Sequence, residues 1–332
     1  MSQIEVYEGI AKTVLNQYAL VDEKIQFLGH GENVTFFVET ATEKFLLRIH
    51  QPISVSTDKR WQRPDIIESE LLWLTALHRD TDIVVQEPIQ NQQGKWITQI
   101  IENDTLNILY CSLLHWIDGN ISQIQRTSQQ AYQLGLLMAQ LHQHSTQWQL
   151  PQNFLRPIYD QNRLNAALQA LHPAVSNGLI SIEHYDLLTT ATQKIKKVMQ
   201  NLETVQNWGL IHADLHQGNY LFHNQQIRPI DFSRCGFGYY LYDIAQSIDH
   251  LIPEVRTSFF KGYQTTRNLP ANYLQITEGF SSMASLEVFA FHVNNPQQHQ
   301  WLSDTVQYVA QKHVPKYLED KSFLLDIYEI IL

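Results

Sequence analysis

Cysteine is nearly missing from this chain of 332 residues: there are 2, Cys111 and Cys235, far apart and outside any CxxC pair. That excludes a disulfide framework and a thiolate zinc site. Basic residues are outnumbered, 23 Lys and Arg against 33 Asp and Glu, for a net charge of -10. Non-specific nucleic-acid binding runs on cations that neutralise phosphates, so no nucleic-acid partner is expected. No stretch approaches the roughly 18 unbroken apolar residues of a membrane span, so no membrane partner is expected either. The segment from Met1 to Leu20 has no basic stretch followed by an apolar core and carries Glu5 and Glu8 instead, so it does not read as a signal peptide. Internal repeats and low-complexity tracts are lacking too; Gln is abundant but scattered. The expectation is a soluble cytoplasmic protein.

What is present is the balance of an ordinary folded core, 44% hydrophobic and 17% charged residues, in a chain long enough for two domains. The first third reads as mixed α/β. Ile4 to Tyr18 reads as a short helix. Val34, Phe36 and Val38 alternate with Thr35 and Phe37 as in a strand, and Lys44 to His50 is a second strand ended by Pro52. Asp65 to His78 has apolar residues at helical spacing, with Asp65 as its cap and Glu68 completing a capping box. Pro88, the turn Gln92-Gln93-Gly94 and Trp96 to Ile101 read as a hairpin, and Thr105 to Trp116 as another apolar strand. The rest reads as mostly helical: Thr127 to His144, Asp160 to Leu171, Ser181 to Leu202, and Tyr240 to Leu332 with breaks near Pro253, Pro270 and Pro296. The exception is Gly209 to Phe232, three short apolar pieces separated by polar turns. Trp148, Phe154, Trp208 and Phe222 read as core. A strand-rich part, 1–115, thus precedes a helix-rich part, 116–332. Two lobes joined at one crossing strand would leave a cleft where a nucleotide could bind.

The chemistry concentrates in Ile211-His212-Ala213-Asp214-Leu215-His216-Gln217-Gly218-Asn219, followed twelve residues later by Asp231-Phe232-Ser233. Phosphoryl transfer needs these residue types. One carboxylate, Asp214, faces the acceptor hydroxyl and orients it or takes its proton. A carboxamide oxygen, on Asn219, and a second carboxylate, Asp231, hold Mg²⁺ against the nucleotide phosphates. His216 and Gln217 are further polar candidates in the same loop. A second signal is Leu28-Gly29-His30-Gly31-Glu32-Asn33, where Gly29 and Gly31 let the backbone approach phosphates. His142 and His144, at i and i+2 on a helix, point to different faces and are read as structural, not as a metal pair.

These motifs resemble the catalytic and metal-binding loops of the aminoglycoside phosphotransferase superfamily, which includes choline and homoserine kinases and shares its fold with protein kinases. The pattern H-x-D-x-x-x-x-N is matched by His212, Asp214 and Asn219, and the metal-binding Asp by Asp231, with Ser233 in place of the usual glycine. The resemblance implies an α+β, bilobal protein-kinase-like fold: an N-terminal antiparallel sheet lobe plus helix, and a larger, mainly helical C-terminal lobe. It implies that His212 and Asp243 support the catalytic loop from behind. It implies that Arg48, where the family often has Lys, contacts nucleotide phosphates and pairs with Glu70. It also implies that the chain around His115 and Ile117 meets the adenine. Val34 stands where a kinase Gly-rich loop has its third glycine.

The function so implied is transfer of the ATP γ-phosphoryl group, with Mg²⁺, to a hydroxyl of a small molecule: an aminoglycoside, choline, homoserine or a sugar-like acceptor. The acidic balance leans towards a cationic one. A monomer or homodimer is expected. The alternatives are a bacterial Ser/Thr protein kinase of the same fold, against which stands the lack of an APE-like segment, and an inactive nucleotide-binding protein.

Overall fold

Residues 3–21, 23–52, 59–101, 107–121, 127–202 and 206–326 are described by the computed structural model. The chain divides into two units, the first made of Met1–Gly119, Gln149–Arg156 and Arg228–Ser233. Helix α1 (Gln3–Leu15) is followed by strands β1 (Lys24–His30), β2 (Val34–Glu39) and β3 (Lys44–Ile49), helix α2 (Pro64–Asp80), and strands β4 (Pro88–Ile89), β5 (Thr98–Ile101) and β6 (Ile108–His115). The sheet is antiparallel in the order β1-β2-β3-β6-β4, with β5 also on β6. Alternation decides its faces: Val34, Phe36 and Val38 on β2 and Phe45, Leu47 and Ile49 on β3 are buried against Ala11, Val14 and Leu15 of α1.

Two local expectations fail here. Helix α2 opens on Pro64, not on a capping box. Arg63 at the cap position makes no side-chain cap bond, Glu68 is exposed, and Asp65 lies inside the first turn with Oδ1 on Arg63 Nε at 3.0 Å. Proline suits that first position because its missing N–H is one of the donors a cap would serve. The Gln92-Gln93-Gly94 turn exists, with Gly94 at a φ of 72° and its amide on Asn91 O at 2.8 Å. The strands beside it do not pair with each other, however. Pro88–Ile89 and Thr98–Ile101 both lie along β6, which is long enough to take them in succession on one edge.

The second unit comprises Asn120–Trp148, Pro157–Ile227 and Arg234–Leu332. It runs α3 (Ser128–Gln147), β7 (Ile158–Tyr159), α4 (Gln161–Ala170), α5 (His172–Ser176), α6 (Ile182–Asn201), β8 (Trp208–Ile211), β9 (Tyr220–His223), β10 (Gln226–Pro229) and β11 (Gly236–Tyr239). Then come α7 (Tyr240–Ile248), α8 (Pro253–Tyr263), α9 (Tyr273–His292), α10 (His299–Tyr308) and α11 (Val314–Leu318). Polar caps start three of the helices: Thr127 in a full capping box with Gln130, Asp160 on Asn162 N and Arg163 N, and Ser181 on His184 N. A π-helical stretch, Val309–His313, joins α10 to α11. Pro315 follows it, and without an N–H it cannot continue the regular ladder. β9 and β10 form a two-stranded sheet, and β7, β11 and β8 a three-stranded one.

Trp148, Phe154, Trp208 and Phe222, expected in the core, are only half-buried. The largest fully buried side chains of this unit are instead tyrosines and phenylalanines, among them Tyr159, Tyr220, Tyr242 and Phe280. Tyrosine tolerates burial where its hydroxyl is bonded, as Tyr159 is to Arg234 O at 2.7 Å and Tyr220 to His250 Nε2 at 2.7 Å. Among the described residues no helix is long and apolar enough to cross a membrane.

Candidate active site

Strand β8 delivers the chain to Ala213, which sits at a φ of 61°, a conformation that costs a residue with a Cβ. The carboxylate of Asp243, fully buried on α7, holds that turn. Its Oδ2 accepts the amide of His212 at 2.9 Å and its Oδ1 the amide of Ala213 at 2.8 Å. His142 on α3 completes the support: Nε2 lies 3.0 Å from Asp243 Oδ2 and Nδ1 2.9 Å from the Tyr263 hydroxyl, and the ring stacks on Tyr240. Burial lowers the His142 pKa and outweighs the nearby Asp243 charge, so a neutral ring donates through Nε2 and accepts at Nδ1. His144 is buried separately, against Trp148, as expected from its i+2 position.

The turn projects Asp214. Asn219 Nδ2 donates to Asp214 Oδ2 at 3.0 Å and to Asp214 O at 2.9 Å, so the two residues five apart in sequence are fixed against each other. With its nitrogen so engaged, Asn219 presents Oδ1, which accepts no hydrogen bond among the described residues. His216 Nε2 and Arg234 Nε each lie 3.8 Å from the Asp214 carboxylate, on Oδ1 and Oδ2 respectively. The His216 ring is turned back on the loop, with Nδ1 accepting the amide of Gly218 at 3.0 Å. Beside Asp214, wholly within the second unit, opens a cavity of about 220 Å³. Its walls include His216, Arg234, Asp249, Trp301 and Phe323.

The first unit holds the other sequence-predicted residues. Arg48 Nη1 meets Glu70 Oε1 at 2.8 Å, with side chains 4% and 3% exposed, so the strand–helix pair forms. The remaining Arg48 donors, Nε and Nη2, are buried with no hydrogen-bond partner among the described residues. A guanidinium with two unused donors in a low-dielectric site suits an anion such as phosphate. Gly29 lies next to last in β1, past a bulge and facing Thr35 in the register, and Gly31 begins the tight turn to β2 with its amide on Asn33 O at 3.1 Å. A Cβ at either glycine would meet no atom within 4 Å, so open space lies above this turn. Asp231 adopts a φ of 58°, and its Oδ1 accepts a long 3.3 Å bond from Ser233 N. Ser233 Oγ in turn reaches Glu32 Oε2 of the glycine turn at 3.4 Å. At the end of β6, the His115 amide donates to Glu87 O at 2.8 Å and the Trp116 amide to Lys44 O at 2.9 Å. The Ile117 amide has no such partner among the described residues.

Three residues escaped the sequence reading. Arg156, 3% exposed, donates to Ile66 O on α2 at 2.9 Å and to the carbonyls of Phe232 and Ser233, tying the Glu70 helix to the Asp231 segment within the first unit. The ring of Phe232 packs edge-on against Trp73 of the same helix. Arg234 sits next to the Asp214 carboxylate, and Asp249 lines the cavity. None carried a motif signal. The one available clue was an arginine and an aspartate within a few residues of Asp231 and Asp243.

The sequence matches the family described as Phosphotransferase enzyme family over residues 24–276. An uncharacterized protein of Synechocystis is 25% identical over 293 residues, covering 86% of this chain and 77% of that protein. Among solved structures, that of a microcompartment-associated aminopropanol kinase superposes with a TM-score of 0.79 at 24% identity, covering 96% of this chain and 99% of that one. An amicoumacin kinase in complex with AMP-PNP, Ca²⁺ and Ami follows at a TM-score of 0.73 and 18% identity, covering 99% of both chains.

Proposed function

Because the chain belongs to the phosphotransferase enzyme family, we propose that it moves the γ-phosphoryl group of ATP to a hydroxyl of a small molecule. The observation that carries this reading is Asp214, fixed by Asn219 at the wall of a cavity of about 220 Å³. A cavity below the roughly 300–1,000 Å³ of drug-sized ligand sites suits a small acceptor. The likeness to kinases of small molecules supports the same choice.

Asn219 Nδ2 holds Oδ2 of Asp214, and the carboxylate so fixed faces the acceptor hydroxyl. It orients the O–H and accepts the proton as the acceptor oxygen bonds to the γ-phosphorus and the bond from that phosphorus to the β–γ bridging oxygen breaks, releasing ADP. Arg48, positioned by Glu70, offers Nε and Nη2 to the phosphates. The Gly29–Gly31 turn lies over them, and the Ile117 amide beside His115 donates to the adenine edge. Asn219 Oδ1 and the Asp231 carboxylate are the oxygen ligands that would hold Mg²⁺, a hard cation that prefers such donors. Among the described residues no group of three His, Cys, Asp or Glu is placed to hold a metal, so phosphate oxygens and water would fill the remaining positions. When bound, the ion neutralises phosphate charge. The chain's own contribution is positioning and electrostatics, with no covalent enzyme intermediate.

The test is Mg²⁺-dependent ADP release from ATP with pooled acceptors (amino alcohols, aminoglycosides, sugars and a generic protein), with Asp214→Ala run beside the native chain. Release is expected with a small-molecule pool and to fall about 10²–10⁴-fold in the variant, as loss of a general base does, while AMP-PNP still binds. Phosphate appearing on the protein acceptor alone would overturn the small-molecule assignment. Loss of nucleotide binding together with turnover would overturn the role of Asp214.

A further inference from the structure

Asp231 holds a backbone conformation that it would not keep by itself. Its φ of 58° lies in the left-handed region, which a residue with a Cβ retains only where its surroundings enforce it. Its own carboxylate adds little: Oδ1 accepts Ser233 N in a long bond of 3.3 Å.

The enforcement comes from α2, in the same unit. The ring of Phe232, 1% exposed, packs edge-on against Trp73 with centroids 5.4 Å apart. The second tie is the guanidinium of Arg156. Nη2 donates to the carbonyls of Phe232, at 3.4 Å, and of Ser233, while Nη1 donates to Ile66 O of α2 at 2.9 Å. Arg156 is itself placed by that helix. The neighbouring amide of Leu155 donates to Ser69 Oγ at 2.9 Å, and Ser69 Oγ donates to Asp65 O at 2.8 Å. The Trp61 ring lies 5.6 Å from the Arg156 Cζ. On its other side α2 is anchored to the sheet by the buried pair of Glu70 with Arg48.

The two carbonyls belong to the residues that directly follow Asp231. Pinning both fixes the direction in which the chain leaves Asp231, and with it where the carboxylate points. A planar fork of donors reaches carbonyls on two segments at once, whereas the lysine ammonium is a single point. Ser233 acts in the same sense. It stands where a kinase loop has glycine, yet it is not in the left-handed region, so a serine fits without strain. A serine also has less conformational freedom to lose than a glycine.

We propose that Arg156 is a positioning residue that holds the Asp231 carboxylate preset for Mg²⁺. This rests on the phosphotransfer reading and adds to it the group that orients a metal ligand. A preset ligand spares the metal the cost of ordering the segment, so Mg²⁺ tightens nucleotide binding more than it would in a loose one. Arg156 itself touches neither metal nor nucleotide.

The experiment titrates the chain calorimetrically with AMP-PNP, once in EDTA and once in excess Mg²⁺. The quotient of the two Kd values is the coupling between metal and nucleotide. Arg156→Lys is expected to lower that quotient about tenfold or more, as loss of a partner behind a metal ligand does, with the Kd in EDTA little changed. Asp231→Ala should lower it as well, and Arg156→Lys added to Asp231→Ala should lower it no further, because no carboxylate is left to orient. A merely structural role would instead weaken AMP-PNP alike in EDTA and in Mg²⁺, and its effect would add to that of Asp231→Ala. Ser233→Gly, which keeps Arg156, is expected to lower the quotient about 2–5-fold and more than Ser233→Ala does, the worth of the freedom that a glycine adds. It decides the matter where Arg156→Lys does not fold, and a native quotient in Ser233→Gly then overturns the proposal. A native quotient in folded Arg156→Lys, or a loss that adds in full to that of Asp231→Ala, overturns the proposal and leaves the phosphotransfer reading standing. A quotient of one in the native chain, or one that survives Asp231→Ala, takes the metal away from Asp231 and overturns both.

Discussion

Arg48 meets Glu70 through one nitrogen only, and both side chains are almost wholly buried. Removing one partner of such a pair leaves an uncompensated charge in a low dielectric, which costs about 3–5 kcal/mol. Lysine and arginine would therefore fail differently here. Arg48→Lys keeps a cation for Glu70 but lacks the donors that Nε and Nη2 hold unused. It is expected to weaken AMP-PNP binding about tenfold, the worth of one charge-assisted hydrogen bond, with a small change in urea stability. Arg48→Met is expected to destabilise the fold by about 3–5 kcal/mol as well, read by the urea midpoint. If Arg48→Lys bound AMP-PNP as tightly as the native chain, the unused donors would have no role with phosphate. If both variants lost only stability, the pair would be structural.

Helices α3 and α8 cross through glycines, and the contact is reciprocal. A Cβ built on Gly135 would lie 1.9 Å from Phe259 O, and one on Gly262 would lie 1.9 Å from Tyr132 O. Neither obstacle is a flexible side chain, so a methyl group at either position must push the helices apart. Gly135→Ala and Gly262→Ala are each expected to destabilise by about 1–3 kcal/mol, despite alanine's better helix propensity. The cost has a further reach, because α3 carries His142 and α8 carries Tyr263, the two partners that sit behind Asp243. Turnover should fall by more than the melting temperature alone accounts for, and a variant that melts earlier but turns over normally would break that link. This close approach was invisible in sequence, since both glycines look like weak points in their helices. What the sequence did disclose was local. Thr127, Asp160 and Ser181 announce their helices, the alternation at Val34, Phe36 and Val38 announces a strand, and Asp214 with Asn219 five residues on announces a tight loop. The errors arose where a distant partner decides. β4 and β5 pair to β6 instead of each other, and Pro64 starts α2 where a polar cap was expected. In the second unit Trp148 and Trp208 are only half-buried, while Tyr159 and Tyr220 are fully buried with their hydroxyls bonded to a carbonyl and a ring far away in sequence. Asp249 and Arg156 were missed for the same reason: their surroundings exist only after folding.

Across the whole molecule, the buried histidines set a limit on acid stability. His50 lies in the first unit with Nε2 at 2.9 Å from Ser112 Oγ, and His142 in the second between Asp243 and Tyr263. Burial lowers both pKa values from the usual 6.5, for His50 with the charges of Arg48 and Arg156 acting in the same direction. Between the lowered folded value and 6.5 the unfolded chain binds the proton and the folded chain does not. Stability is therefore complete above about pH 6.5 and is lost as pH falls below it, by up to about 1.4 kcal/mol per pH unit for each ring. Asp249 works in the opposite sense, because its raised pKa lets the folded state keep a proton that the unfolded state gives up. Two rings against one carboxylate still leave a net loss. Relief of the net charge of -10 on acidification also opposes it, but that long-range repulsion is screened at high salt and the buried rings are not. Urea midpoints in 0.5 M salt (a Debye length of roughly 4–5 Å) should thus be level from pH 8 to about 7 and decline steadily from about pH 6.5 to 5.5. His50→Gln should remove one ring's share of the slope. Because each unit contains one of the rings, probes in both units should report the decline. A midpoint that holds or rises on acidification would mean that these histidines are protonated in the folded chain, and the neutral His142 that supports Asp243 would have to be abandoned.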